Sequence, residues 1–119
     1  MAKDLGISVL LDFYGDMLTE KQKDVVELYY NEDLSLAEIA EHSGITRQGV
    51  RDSIKRAEAQ LKEYEERLGL AQRFHTMGEG LDEIRRLANE AARNNRRRDL
   101  EIERCLNEIG TIAARLGDL

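Results

Sequence analysis

The chain has 119 residues, of which 35% are charged, contains no proline and carries a formal net charge of −6. That length allows one domain, or a small domain with a helical extension, and the composition suits short turns and salt-bridged helices rather than sheets. No run nears the roughly 20 apolar residues that span a bilayer, the start shows neither a basic segment nor a long apolar one, and the lone Cys105 permits no internal disulfide. A cytoplasmic protein without membrane insertion is expected.

From Asp4 to Gly15, the residues Ile7, Leu10, Leu11 and Tyr14 fall at i, i+3, i+4 and i+7, which predicts an amphipathic first helix. Thr19 and Gln22 then form a capping box, opening a second helix through Val25, Val26, Leu28 and Tyr29 to about Asn31. Asn31 to Leu34 is a polar loop. Phe13, Tyr14, Tyr29 and Tyr30 hold most of the aromatic surface and are expected to pack these two helices onto the segment that begins at Ser35, rather than to form an exposed partner-binding patch.

Ser35 to Arg56 carries the strongest motif. Ser35 and Glu38 make another capping box, Leu36, Ile39 and Ala40 give an apolar face, and Gly44 suits the left-handed position after a helix. Ile45 is expected to plug the core under the turn. Thr46 then caps a helix whose Val50 and Ile54 face inward, leaving Arg47, Gln48, Arg51, Lys55 and Arg56 as candidate binding residues on the outside. This is a helix-turn-helix, and Arg and Gln at the start of its second helix are the residue types that read base edges or grip phosphates. The same unit also serves as a protein-docking module.

Val50, Ile54, Ala57, Leu61, Tyr64, Leu68 and Ala71 continue in four-three spacing, so the recognition helix is expected to run on as a rod past Gly69 toward Met77, with Gly78 and Gly80 ending it. Two more helices come after it. One carries Leu81, Ile84, Ala88 and Ala91, and the other Ile102, Leu106, Ile109, Ala113 and Leu116, with Cys105 read as a small core residue. They form a predicted hairpin whose apolar faces need cover, and a homodimer built on these helices and on Leu61 and Leu68 is the expectation. Arg96, Arg97 and Arg98 sit in the intervening turn, beside Asp99, and are read as solvated.

The charge is uneven. Residues 1 to 68 hold 9 Lys+Arg against 15 Asp+Glu, whereas residues 69 to 119 hold 9 against 9. Between Arg47 and Arg56, however, four basic residues face Asp52 alone, so a local basic patch sits on an acidic half. His42 and His75 lie on different predicted helices, and no nucleophile motif, phosphate loop or ligand cluster accompanies them. No enzyme, metal or cofactor is expected.

Leu18 to Leu61 resembles region 4 of bacterial sigma factors. More closely, Asp12, Phe13 and Tyr14, then Leu18, Thr19, Lys21 and Gln22, then Leu28, Tyr29 and Tyr30, and then Ser35, Leu36, Glu38, Ile39 and Ala40 resemble the YlxM family of small bacterial proteins. Arg47, Gln48, Val50, Asp52, Ile54, Lys55 and Arg56 continue that likeness, which covers roughly residues 7 to 75. The resemblance implies a DNA-binding-like fold and a regulatory link to the signal recognition particle pathway, since the family is typically encoded beside the gene for the particle's GTPase. Partners implied are that GTPase, its RNA or its receptor, with DNA as the alternative. The expected architecture is all-α, with a sigma region 4-like helix-turn-helix over residues 1–68, and a helical extension, an oligomerisation hairpin, over residues 69–119.

Overall fold

The structure, a computed structural model, describes residues 3–118, and among them every regular element is helical. Helix α1 spans Gly6–Tyr14, followed by a 3-10 turn over Gly15–Met17, α2 over Glu20–Tyr30, α3 over Leu36–Ser43, α4 over Arg47–Leu68, α5 over Leu70–Arg93 and α6 over Leu100–Gly117. The chain divides into two compact units between Ala71 and Gln72.

In the first unit the local signals act as written. Thr19 Oγ1 accepts the Gln22 N–H at 3.2 Å while Gln22 Oε1 accepts the Thr19 N–H at 3.2 Å, and Ser35 and Glu38 repeat that exchange at 3.1 Å in both directions. Helices α1, α2 and α3 all pack on α4. Two apolar clusters result. One joins Ile7, Leu11, Tyr14, Leu18 and Val26 to Ala57 and Leu61, and the other joins Val25, Tyr29 and Ile39 to Val50 and Ile54. The expected aromatic group is thus divided, with Tyr14 in the first cluster, Tyr29 in the second and Tyr30 packed against both.

Three expectations about the rod are corrected. Helix α4 stops at Leu68, with Gly69 left-handed at φ 65°, and α5 starts immediately after. The cause is distant in sequence: Tyr14 Oη donates to Glu65 Oε1 at 2.6 Å and accepts the Leu70 N–H at 3.0 Å, while the same Glu65 oxygen accepts the Ala71 N–H at 3.0 Å. Those bonds satisfy two of the orphan amides that a new helix exposes. Gly78 and Gly80 have no such receivers and lie inside α5, where each costs about 1 kcal/mol relative to alanine without ending the helix. Finally, Leu61 is fully buried inside its own unit, which removes it from the dimer contact expected of the seam, while Leu68 is exposed. Ile45 is also exposed, because the tight Gly44 turn directs it outward instead of under the motif.

The second unit is the helical hairpin. Asp99 caps α6 by accepting the Glu101 and Ile102 N–H groups at 3.0 and 3.2 Å, and Arg96, Arg97 and Arg98 stand exposed in the turn before it. Helices α5 and α6 bury small residues, Ala88 on one and Gly110 and Ala113 on the other. A Cβ added to Gly110 would lie 3.6 Å from Asn89 Oδ1, an ordinary contact with that side chain. Cys105 is exposed, contrary to its reading as a core residue, because it lies round the helix from those contacts.

Leu61→Ala should cost about 2–5 kcal/mol, the range for emptying a packed aliphatic site, and should appear as a lower urea midpoint rather than as a change in mass. A second test uses Tyr30, whose hydroxyl donates to Glu58 Oε1 at 2.8 Å and accepts the Asp4 N–H at 3.3 Å. Its phenol is pushed up to about 12, foremost by burial, with the Asp4 N–H opposing the rise and the Glu58 carboxylate adding to it. Because the fold favours the neutral phenol, its contribution is whole below the ordinary value of 10.0 and disappears as pH rises through 12. Unfolding curves taken across that window should therefore fall more steeply for the natural chain than for Tyr30→Phe.

Candidate functional site

Burial of Val50, Ile54, Ala57 and Leu61 fixes the rotation of α4 about its axis. Arg47, Arg51 and Lys55, spaced four residues apart, consequently form one exposed row about 12 Å long. Gln48 is exposed on the adjoining row, where its amide donates to Asp52 Oδ1 at 2.9 Å. Arg56 is exposed as well, but lies beyond Asp52 on the far edge of the helix, so the structure groups four of the five expected residues and sets the fifth apart.

The turn that presents this row is held by three local devices. Gly44 adopts φ 69°, and the Gly44 and Ile45 N–H groups both return to Ala40 O, at 2.9 and 3.2 Å. Thr46 is extended, with φ −76° and ψ 158°, and its Oγ1 accepts the Gly49 N–H at 3.0 Å. Gly49 makes room for that cap, since a Cβ there would stand 3.2 Å from Thr46 Oγ1.

Electrostatics separate these cations from the rest of the unit. Lys3 pairs with Asp33, Lys23 with Asp16 at 2.5 Å, Lys62 with Asp4 at 3.2 Å and Arg67 with Glu63 at 3.1 Å. Arg47, Arg51, Lys55 and Arg56 form no ion pair among the described residues, and the same holds for Lys21. Their charge is available to an external anion.

Lys21 belongs to a feature that the sequence did not reveal. With Asp24, Val25, His42, Ser43, Ile45 and Ser53 it lines a hollow of about 260 Å³ beside the turn. Its walls come from α2, α3 and α4, so no single stretch of sequence carries the signal. Among the described residues no group of three or more His, Cys, Asp or Glu side chains is arranged to hold a metal.

A capped two-helix unit with a left-handed glycine turn, presenting an exposed basic row from its second helix, defines a helix-turn-helix protein. The chain belongs to the YlxM/p13-like family: its residues 1–101 match the family described as "Putative helix-turn-helix protein, YlxM / p13 like". It is similar to a UPF0122 protein of Desulforamulus reducens, 53% identical over 78 residues that make up 66% of this chain and 67% of that protein. A UPF0122 protein of Clostridium kluyveri is 56% identical over 70 residues, 59% of this chain and 63% of the relative's length. One from Thermoanaerobacter sp. is 46% identical over 105 residues, 88% of each. The fold expected from the sequence, all-α with a helix-turn-helix, is the one observed.

Thr46→Ala should cost about 1 kcal/mol by freeing the Gly49 N–H at the start of α4. Serine at the same position should recover most of the loss in denaturant unfolding, because it restores the accepting oxygen.

Proposed function

We propose that this protein is a non-enzymatic regulatory binding module of the signal recognition particle pathway, using the basic row of α4 to engage the particle's RNA, its GTPase or the receptor. The observation that carries the reading is the set of cations on α4 that form no ion pair, on a first unit whose other basic residues are mostly paired. An unpaired row needs no internal bond broken before it meets an anion. The surrounding acidity opposes long-range attraction to nucleic acid in general, which favours a partner that fits the row over indiscriminate phosphate binding. The family resemblance supplies the pathway. A cytoplasmic setting fits it, and among the described residues no helix is long and apolar enough to cross a membrane.

A second reading, a sequence-specific DNA-binding regulator, is favoured by Arg47, Gln48 and Arg51 standing in the first turns of a capped recognition helix, where base edges are contacted. Purified protein titrated into the particle, the RNA alone and the GTPase alone, with GTP turnover followed in parallel, separates the readings. Binding to one of the three should weaken in Arg47→Glu/Arg51→Glu and lose part of its salt dependence, while His75→Ala leaves it unchanged. Binding confined to promoter DNA at low salt would transfer the function to the second reading, and no effect on the particle, its RNA or its GTPase would overturn the first.

A further inference from the structure

The α5–α6 hairpin carries more apolar surface than its two helices cover. Beyond the contacts at Ala88, Gly110 and Ala113, α5 shows a second stripe, Met77, Gly80, Ile84, Leu87 and Ala91, every member of it exposed. On α6 a matching stripe, Ile102, Cys105, Ile109, Ile112 and Leu116, is likewise exposed. Both advance by three and four residues alternately, the spacing that seats helix against helix. In an antiparallel pair these rotations place the two stripes on one side of the hairpin. A cleft of about 320 Å³ confirms it at the open end, where Met77, Gly80 and Ile84 share the lining with Leu116.

We propose that this face is covered by the same face of a second copy, giving a four-helix bundle with a two-fold axis along the hairpin. Two observations select that occupant. The stripes leave seven large apolar side chains exposed together, from Ile112 at 39% to Met77 at 59%, a contiguous patch of the kind that marks an interface rather than the scattered apolar residues of a monomer's surface. Residues 72 to 119 hold 9 Lys+Arg against 9 Asp+Glu, so two copies meet here without the repulsion that the acidic first unit would impose. Most of α6 lies beyond residue 101, where the family match ends.

The proposal is independent of what α4 binds, and its test reads mass and accessibility. Sedimentation equilibrium of the full chain, from low to high micromolar concentration, should give twice the 13.6 kDa chain mass. Ile109→Glu should return the single mass with helicity by circular dichroism unchanged, because a charge in an apolar interface finds no partner. Should that variant lose helicity, Ile109→Ala keeps the helix and should weaken the dimer about tenfold or more. Cys105 supplies a second readout, since alkylation by iodoacetamide should slow as the concentration rises through the dimer range, and should not slow in the Ile109 variant. A single-chain mass at every concentration with a constant alkylation rate, or a dimer that survives both substitutions, would overturn the assignment.

Discussion

The buried stripe of α4 is the constraint on which the first unit depends. Val50, Ile54, Ala57 and Leu61 are fully removed from solvent, and the helices that remove them, α1, α2 and α3, each pack more extensively on α4 than on any other element. Each such side chain contributes on the order of 1.5–3 kcal/mol when buried, alanine less, so α4 is at once the presenting helix and the core. The coupling has a functional consequence. A helix advances about 100° per residue, so burying positions 50, 54, 57 and 61 turns 51 and 55 outward, while Arg47, on the side of Val50 and Ile54, is exposed at the very start of the helix, ahead of the packed positions. The candidate row cannot rotate away without opening both apolar clusters.

How much the sequence disclosed depends on how local each interaction is. The capping boxes at Thr19/Gln22 and Ser35/Glu38 were readable because donor and acceptor lie three residues apart, and Gly44 because its left-handed turn comes directly after an apolar helix. The end of α4 was not. Spacing carries the rod past Gly69 and ends it at Gly78 and Gly80, yet only Gly69 lies where Tyr14, more than fifty residues earlier, delivers a hydroxyl to the next amide. Helical periodicity failed in a related way at Cys105. It reported that the residue lies on an apolar stripe, but whether a stripe is covered depends on the elements opposite, which spacing does not encode. At the candidate site the row of α4 was readable for the same local reason, whereas the hollow around Lys21 and His42 draws on three helices and was not.

The charge pattern gains meaning once pairing is known. From sequence, residues 1 to 68 carry an excess of six carboxylates, which argues against any polyanionic partner. In the structure the excess and the cations are separated by pairing. Lys3, Lys23, Lys62 and Arg67 are neutralised locally, while Arg47, Arg51, Lys55 and Arg56 are not. Fields from exposed carboxylates are largely screened beyond about 8–10 Å at physiological salt, so the acidic body acts mainly on approach, and the row dominates at contact. A surface of this kind gains more in selectivity than in affinity.

Asp52 sharpens that point. It is the one carboxylate between Arg47 and Arg56, and it holds the Gln48 amide at 2.9 Å. For Gln48 to read a base or a peptide group, that bond must be exchanged for the new one, at a net cost of about 0.5–1.5 kcal/mol that Arg47 and Arg51 do not incur. Asp52 must also be brought toward whatever the row meets. A phosphate backbone would be repelled by it, whereas a partner offering a donor would satisfy the carboxylate and release Gln48 together. The arrangement therefore favours partners that present anions to Arg47, Arg51 and Lys55 and a donor to Asp52, a mixed pattern found on a folded RNA or a protein surface more readily than on a uniform duplex.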